Sequence, residues 1–407
     1  MSTTGPARAP DAMIDILAPA VCENPFPLYA TLRRDSPVCR VEPGGIWLVT
    51  RYSDVQFALK HTELFSSSGF REMLAPPWLR EECRRDLSIL SQDPPQHTRN
   101  RVLVNRAFVS GVITGMVPFM ERSAAELVAT IERGECADFL GRFAYPYAGR
   151  IISTITGIDK YQTVEELRHW SEVTEVINST QPDERAAAIV QDALLAQNAH
   201  FAAVIADRLA APREDLITGI IDAEIDGRRL DQPQLLNVMN LLIGAGFTTT
   251  AHALCNAMIL LARRPDIAMA LRRDLAGIPA FLEELLRYSG PSQRLLRTTT
   301  QPVELSGHTI PAGATVLLAL ASANRDGQRF PRPDDFDMAR PNIREHLAFG
   351  GGPHVCIGAA LARQEIRVAL EAILAAFDTI VCPAPAELTW IDSLVTLTVR
   401  ELPLVLR

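Results

Sequence analysis

The stretch from Phe349 to Gly358 reads FGGGPHVCIG, and directly behind it AALARQEIRVALEAILAAF, residues 359–377, carries apolar residues at helical spacing. Three consecutive glycines let backbone amides come close to whatever the cysteine holds. A thiol just ahead of a helix has its anion favoured by the aligned peptide dipoles, and neighbouring N–H groups can bond the sulfur. This is the pattern of a site for an anionic sulfur ligand. A lone cysteine is ordinarily a small buried hydrophobe, but three glycines and a helix start count against that here. A zinc site at His354 and Cys356 would need further ligands, and no second pair lies nearby in the sequence.

The longest apolar segment lies upstream. Gln234 to Ala262, QLLNVMNLLIGAGFTTTAHALCNAMILLA, carries no formal charge and would extend about 40 Å as a helix, enough to cross a bilayer. Asn237, Asn240, Thr248, Thr249, Thr250, His252 and Asn256 run through its middle, and no second span exists to receive them. The buried axis of a large soluble protein is the better reading, with no membrane. At its centre GAGFTTT, residues 244–250, predicts a local opening, because glycines weaken the helix and threonine hydroxyls bond back to carbonyls one turn earlier. Taken alone, a Gly/Thr cluster more often marks close helix packing.

Across 407 residues, 47% are hydrophobic and 22% charged, which excludes collagen-like, disordered and disulfide-scaffold classes. The net charge of −8 argues against a nucleic-acid partner. Seven cysteines, an odd number with no CxxC pair, fit neither a disulfide framework nor a structural zinc cluster. The opening MSTTGPARAPDAMIDILAPAV has no apolar core and no A-x-A site, which predicts no secretory signal and a cytoplasmic location. No internal period or linker divides the chain, so one domain over residues 1–407 is expected. The pattern is helical between about Met116 and Tyr288, punctuated at Gly134, Gly157, Pro182, Pro212 and Asp226-Gly227. Strand-like runs lie at Ile46–Val49, at Val316–Leu320 and in the final SLVTLTVRELPLVLR. The fold class is therefore mainly α with small β-sheets, an α+β arrangement. The Pro- and Asp-rich segment Asp326 to Arg340 reads as an ordered meander.

Two further motifs carry charge. In FLEELLRYSGP, Phe281, Leu282, Leu285 and Leu286 form one face while Glu284 and Arg287, three apart, share another. Taken alone this is an ordinary exposed ion pair. In DPPQHTRNRVLVNRAF, His97 and Arg101 stand one helical turn apart with Arg99 and Arg106 nearby. Such a face can grip carboxylates or phosphates, although a solvated basic face is the default.

In this order, the four features resemble the cytochrome P-450 superfamily of haem-thiolate enzymes, in particular its soluble bacterial members, and the resemblance covers nearly the whole chain. It implies the cytochrome P-450 fold, with haem b held between the long central helix and the cysteine loop. Cys356 becomes the axial iron ligand, with Phe349 opening its loop against the cofactor. His97, Arg101, Arg297 of LLRTTT and His354 become propionate contacts, and Glu284 with Arg287 a buried pair. ASANRD, from Ala321 to Asp326, also resembles a bacterial family signature.

Two positions depart from the family pattern. Thr248 stands where an Asp or Glu usually precedes the central threonine, here Thr249. Asp335, in PRPDDF, replaces an arginine that completes the Glu-Arg network, and Arg340 is the candidate substitute.

The resemblance implies a monooxygenase that takes O2, a small organic substrate and electrons from a separate ferredoxin and its NAD(P)H-dependent reductase, with Thr249 relaying protons beside Thr248. Substrate contacts are expected from Ser66 to Leu90, from a lid between Asp159 and Arg213, from Ile243 and Phe247, and from Pro291 to Leu296. Within the last segment, Arg294, beside Leu295, is a candidate anchor for a substrate carboxylate, with a haem propionate or a structural contact as the favoured alternatives. Arg363, Arg367, Arg99 and Arg106 form a candidate basic patch for an acidic partner. The alternatives are a haem-thiolate peroxygenase or ring-coupling or rearranging enzyme, which the missing acid keeps open, and a haem-binding recruitment module without turnover.

Overall fold

The computed structural model describes residues 14–74, 76–84, 88–108, 110–158, 163–177 and 183–407. Its longest element is the apolar segment read above, an unbroken α-helix from Gln232 to Arg263. Asp231 starts it with a capping box: its carboxylate accepts from Gln234 N–H at 2.9 Å, and Gln234 returns its side-chain oxygen to Asp231 N–H at 3.0 Å. Pro265 follows its end, where the residue before a proline leaves helical geometry. The helix passes through the largest apolar cluster, packed against Tyr145–Thr156, Glu184–Ala210, Ile278–Ser289 and Ala359–Ala376. It is long and apolar enough to cross a membrane by composition, yet most of that window is buried within the protein.

The expected opening at GAGFTTT is not present. The stretch stays helical, and Thr248 and Thr249 donate to the carbonyls of Gly244 at 3.1 Å and Ala245 at 2.6 Å. Back-bonding of this kind satisfies the hydroxyls without displacing a backbone bond.

The small sheets lie beside this helical body. The largest has six strands in the order Ile14–Asp15, Val38–Glu42, Ile46–Val49, Thr315–Leu318, Leu295–Thr299 and Phe65–Ser66. Trp47 to Val49 run parallel to Val316 to Leu318 in register. The expected strand over Val316–Leu320 thus ends at Leu318, and Leu320 already opens a short helix. Of the final alternating run only Pro403–Leu406 is a strand, with isolated bridges at Thr396 and Val399. Pro182 and Asp159, named above as punctuation and as a lid boundary, lie outside the described residues, as does the start of the chain up to residue 13.

Candidate active site

The cysteine loop needs its glycines for shape. Gly350 and Gly352 have φ of +72° and +63°, a region that side chains rarely enter. A Cβ on Gly352 would also lie 2.2 Å from the Leu59 carbonyl, at the end of the Tyr52–Lys60 helix. The loop closes where Cys356 N–H donates to the Phe349 carbonyl at 2.9 Å. Three residues later the helix Ala359–Ala376 begins. Protein crowding raises the Cys356 thiol, while the Gly358 N–H and the Arg101 and Arg363 charges pull it back down. The residue as a whole is nevertheless exposed.

Next to this loop, two arginines and two histidines converge. His97 and Arg101 project from the helix Gln96–Ala107, and Arg297 from the strand Leu295–Thr299. The rings of His97 and His354 lie 3.9 Å apart, and Ser67 Oγ holds His354 Nε2 at 2.9 Å. Arg101 donates to the Val355 carbonyl at 2.5 Å. His97 and Arg297 are each only 1% exposed. Neither ring nitrogen of His97, and neither Nε nor one terminal nitrogen of Arg297, has a hydrogen-bond partner among the described residues.

The cost is visible in the titrations. Burial, then the Arg101 charge, pushes His97 down to about 4. Burial, then His97, Arg297 and Arg101, pushes His354 to about 3, and burial lowers Arg297 to about 10. Buried donors left unmade are expensive, so this cluster fits anionic groups supplied by a cofactor. Asp93 is the carboxylate facing it, felt by both His97 and Arg297, and it also accepts from Ser66 Oγ and from Ser67 N–H at 2.8 Å. Neither Asp93 nor Ser67 was singled out from the sequence, because each acts only through tertiary contact.

The Glu284–Arg287 pair is not a surface pair. Both side chains are fully buried, joined by two bonds of 2.7 Å. Arg287 also donates to the carbonyls of Asn324, Pro333 and Asp335. Arg340 reaches Glu284 at 3.3 Å from the meander and bonds the Asp335 carbonyl at 3.0 Å. Asp335 therefore serves the network through its backbone. ASANRD gains a mechanical reading as well: Asn324 accepts the Leu347 N–H ahead of the cysteine loop at 2.6 Å, and Asp326 accepts Tyr52 N–H at 2.9 Å.

On the central helix, Ala245 is exposed and Leu241, Gly244, Thr248 and Thr249 are half-buried. A Cβ at Gly244 would meet open space within 4 Å, whereas one at Gly246 would sit 3.0 Å from Ile152. Ile243 and Phe247, expected toward the substrate, are buried at 3% and 1%, and Phe247 stacks on Tyr145 at 5.0 Å. Two residues along a helix is a turn of about 200°, so they occupy the face opposite Ala245 and Thr249.

For Arg294 the structure selects the structural alternative. Arg294 is 3% exposed and donates to Tyr29 Oη at 2.7 Å and to the carbonyls of Leu394 at 3.1 Å and Ser393 at 3.4 Å. Those bonds make it part of the scaffold. Leu295, half-buried, lies 3.6 Å from where a Cβ of Gly350 would stand, beside the cysteine loop. The expected basic patch is half neutralised: Arg363 is bound by Glu283 and Arg367 by Glu371, leaving Arg99 and Arg106 as exposed cations.

A match to the Cytochrome P450 family model spans residues 183–403. The chain belongs to the cytochrome P450 family. This P450 is 34% identical over 387 residues to cytochrome P450 107B1 of Saccharopolyspora erythraea, covering 92% of this chain and 93% of that one. It is 35% identical to the erythromycin C-12 hydroxylase of the same organism, with 92% of each covered. Among solved structures, cytochrome P450 CYP109Q5 from Chondromyces apiculatus superposes with a TM-score of 0.89 at 36% identity, over 97% of this chain and 98% of that one. The family carries haem, and this P450 is an oxidoreductase of that type.

Proposed function

We propose that this P450 is a cytoplasmic monooxygenase, one domain throughout, that binds haem b through Cys356 and oxidises a small, largely uncharged organic substrate. The observation that carries the reading is the meeting of an exposed cysteine with buried nitrogens of His97 and Arg297 that have no partner among the described residues. Haem, when bound, supplies an iron that reduces O2 and leaves one oxygen atom for the substrate. Cys356 gives that iron an electron-rich sulfur. His97, Arg101, Arg297 and His354 would hold the propionates, and Phe349 would shape the loop that presents Cys356.

Substrate meets Leu241, Gly244 and Ala245, which carry no ionisable group, so neutral apolar molecules are favoured over anions. Thr249 Oγ1, bonded to Ala245 O, keeps lone pairs free to accept and pass a proton. Thr248 cannot store a proton near neutral pH, so ordered water or a substrate hydroxyl must feed Thr249. Electrons come from a separate ferredoxin and ferredoxin reductase.

The test supplies NAD(P)H, ferredoxin and reductase to the haem-loaded protein with compounds chosen by displacement of the iron-bound water, seen as a Soret shift. NAD(P)H-dependent oxygenated product supports the reading. The neutral Thr248 favours one second reading, use of peroxide as oxygen donor, which would give product with peroxide and none with the ferredoxin system.

A further inference from the structure

Glu283 and Glu284 are adjacent on the helix Ile278–Ser289, and both are buried. Neighbouring helical side chains point about 100° apart, so the two carboxylates serve different structures. Glu284 turns to Arg287 and the meander. Glu283 turns to the cysteine loop, where it accepts from Arg363 Nε at 2.5 Å and from a terminal nitrogen of Arg363 at 3.0 Å. It also pairs with His346 Nε2 at 3.2 Å. His346 Nδ1 accepts the Ala348 N–H at 3.2 Å, which leaves its proton on Nε2, toward Glu283. The Arg363 guanidinium lies over the Phe349 ring, 4.5 Å from its centre, and the His346 ring is 6.0 Å from the same ring. Phe349 in turn takes the Cys356 N–H on its carbonyl at 2.9 Å. A continuous chain of contacts thus runs from Glu283 through Arg363 and Phe349 to the sulfur-bearing residue.

We propose that Glu283 and Arg363 form a positioning pair that sets the reduction potential of the haem iron through Phe349 and Cys356, a role that rests on the P450 reading above. Groups around a ligating sulfur tune a bound iron through charge and orientation. Arg363 holds a positive charge 4.5 Å from the centre of the Phe349 ring, on the residue whose carbonyl takes the Cys356 N–H, and its bidentate carboxylate partner offsets part of that charge. Removing the carboxylate leaves the guanidinium uncompensated, draws electron density from the sulfur and makes reduction easier. Removing the guanidinium leaves a negative charge and makes reduction harder.

The experiment is a spectroelectrochemical titration of the haem-loaded full chain. Glu283→Gln is expected to shift the potential upward, Arg363→Gln downward, and the charge-neutral double variant to return near the parent. A pair that only braces the loop would shift both single variants in one direction, and that result, or no shift in either, overturns the proposal. Should the Gln variants take up no haem, Glu283→Asp and Arg363→Lys keep both charges but loosen the pairing. Glu283→Asp, which draws the carboxylate back from Arg363, is then expected to shift the potential upward and Arg363→Lys, which takes the cation off the Phe349 ring, downward; shifts in one direction, or an unmoved potential in either, overturn it. The parent serves as the separate check, since absence of a thiolate-type reduced carbonyl spectrum in unmodified protein removes the P450 reading itself.

Discussion

The two sides of the site are built in opposite styles. On the cysteine side a set of charged side chains is bonded to named partners, from Glu283, Arg363 and His346 to Glu284, Arg287 and Arg340. Along the central helix the accessible residues are Leu241, Ala245 and two threonines whose hydroxyls are already bonded to their own helix. The difference teaches that the cofactor side is specified by directional bonds that tolerate little change, while the substrate side is specified by shape. Substitutions should separate the two, with stability lost on the first side and coupling or selectivity altered on the second.

The largest effect should come from Glu284→Ala, which leaves Arg287 and Arg340 buried without their carboxylate. A broken buried pair costs about 3–5 kcal/mol, so soluble, haem-loaded protein should fall sharply; normal yield and haem content would break the comparison. Phe247→Ala comes next, and it sharpens the correction made for that residue. Loss of a buried ring stacked on Tyr145 should cost about 3 kcal/mol, read in a denaturant titration. A stable Phe247→Ala with altered ligand affinities would return Phe247 to the substrate.

A smaller effect is expected from acid. Burial alone would raise the Glu283 carboxyl from 4.5, but the bonds from His346 and Arg363 outweigh it and hold it at about 2. A depressed carboxylate stabilises the fold above its unfolded value, so this contribution is present above about pH 4.5 and is lost as pH falls toward about 2. Melting temperature should therefore drop more steeply across that window in the parent than in Glu283→Gln, and equal slopes would detach Glu283 from the acid response.

The mildest changes belong to the substrate side. Thr249→Ala should leave stability near that of the parent while diverting electrons from product to peroxide, with Thr248→Ala doing less; full coupling in Thr249→Ala would assign proton supply to water or substrate. Arg294→Ala should weaken carboxylate and neutral ligands alike. Selective loss of carboxylates would give Arg294 back its substrate role.

What the sequence made legible follows the same division. FGGGPHVCIG pointed by its residues to an anionic sulfur ligand and by resemblance to haem, and positive φ at Gly350 and Gly352 explains why those positions favour glycine. The capped apolar run ending before Pro265 gave the central helix nearly to its ends. Glu284 and Arg287 looked exposed from local spacing alone, because three-residue spacing does not say which face a tertiary partner will cover. Arg340 closes their network from more than fifty positions away. Ile243 and Phe247 were misdirected for a related reason: in a helix apolar all round, periodicity does not mark the face that lines a cavity. The charge of Arg294 left substrate, propionate and scaffold open in the sequence, and the bonds to Tyr29 and two carbonyls decide for the scaffold.

The central claim is that Cys356 is the thiolate ligand of a haem seated on His97, Arg101, Arg297 and His354. The most direct measurement is the spectrum of the reduced, carbonyl-bound protein, parent against Cys356→Ala. The account predicts a thiolate-type band in the parent and its complete loss in the variant. A thiolate-type band that survives in Cys356→Ala would contradict it.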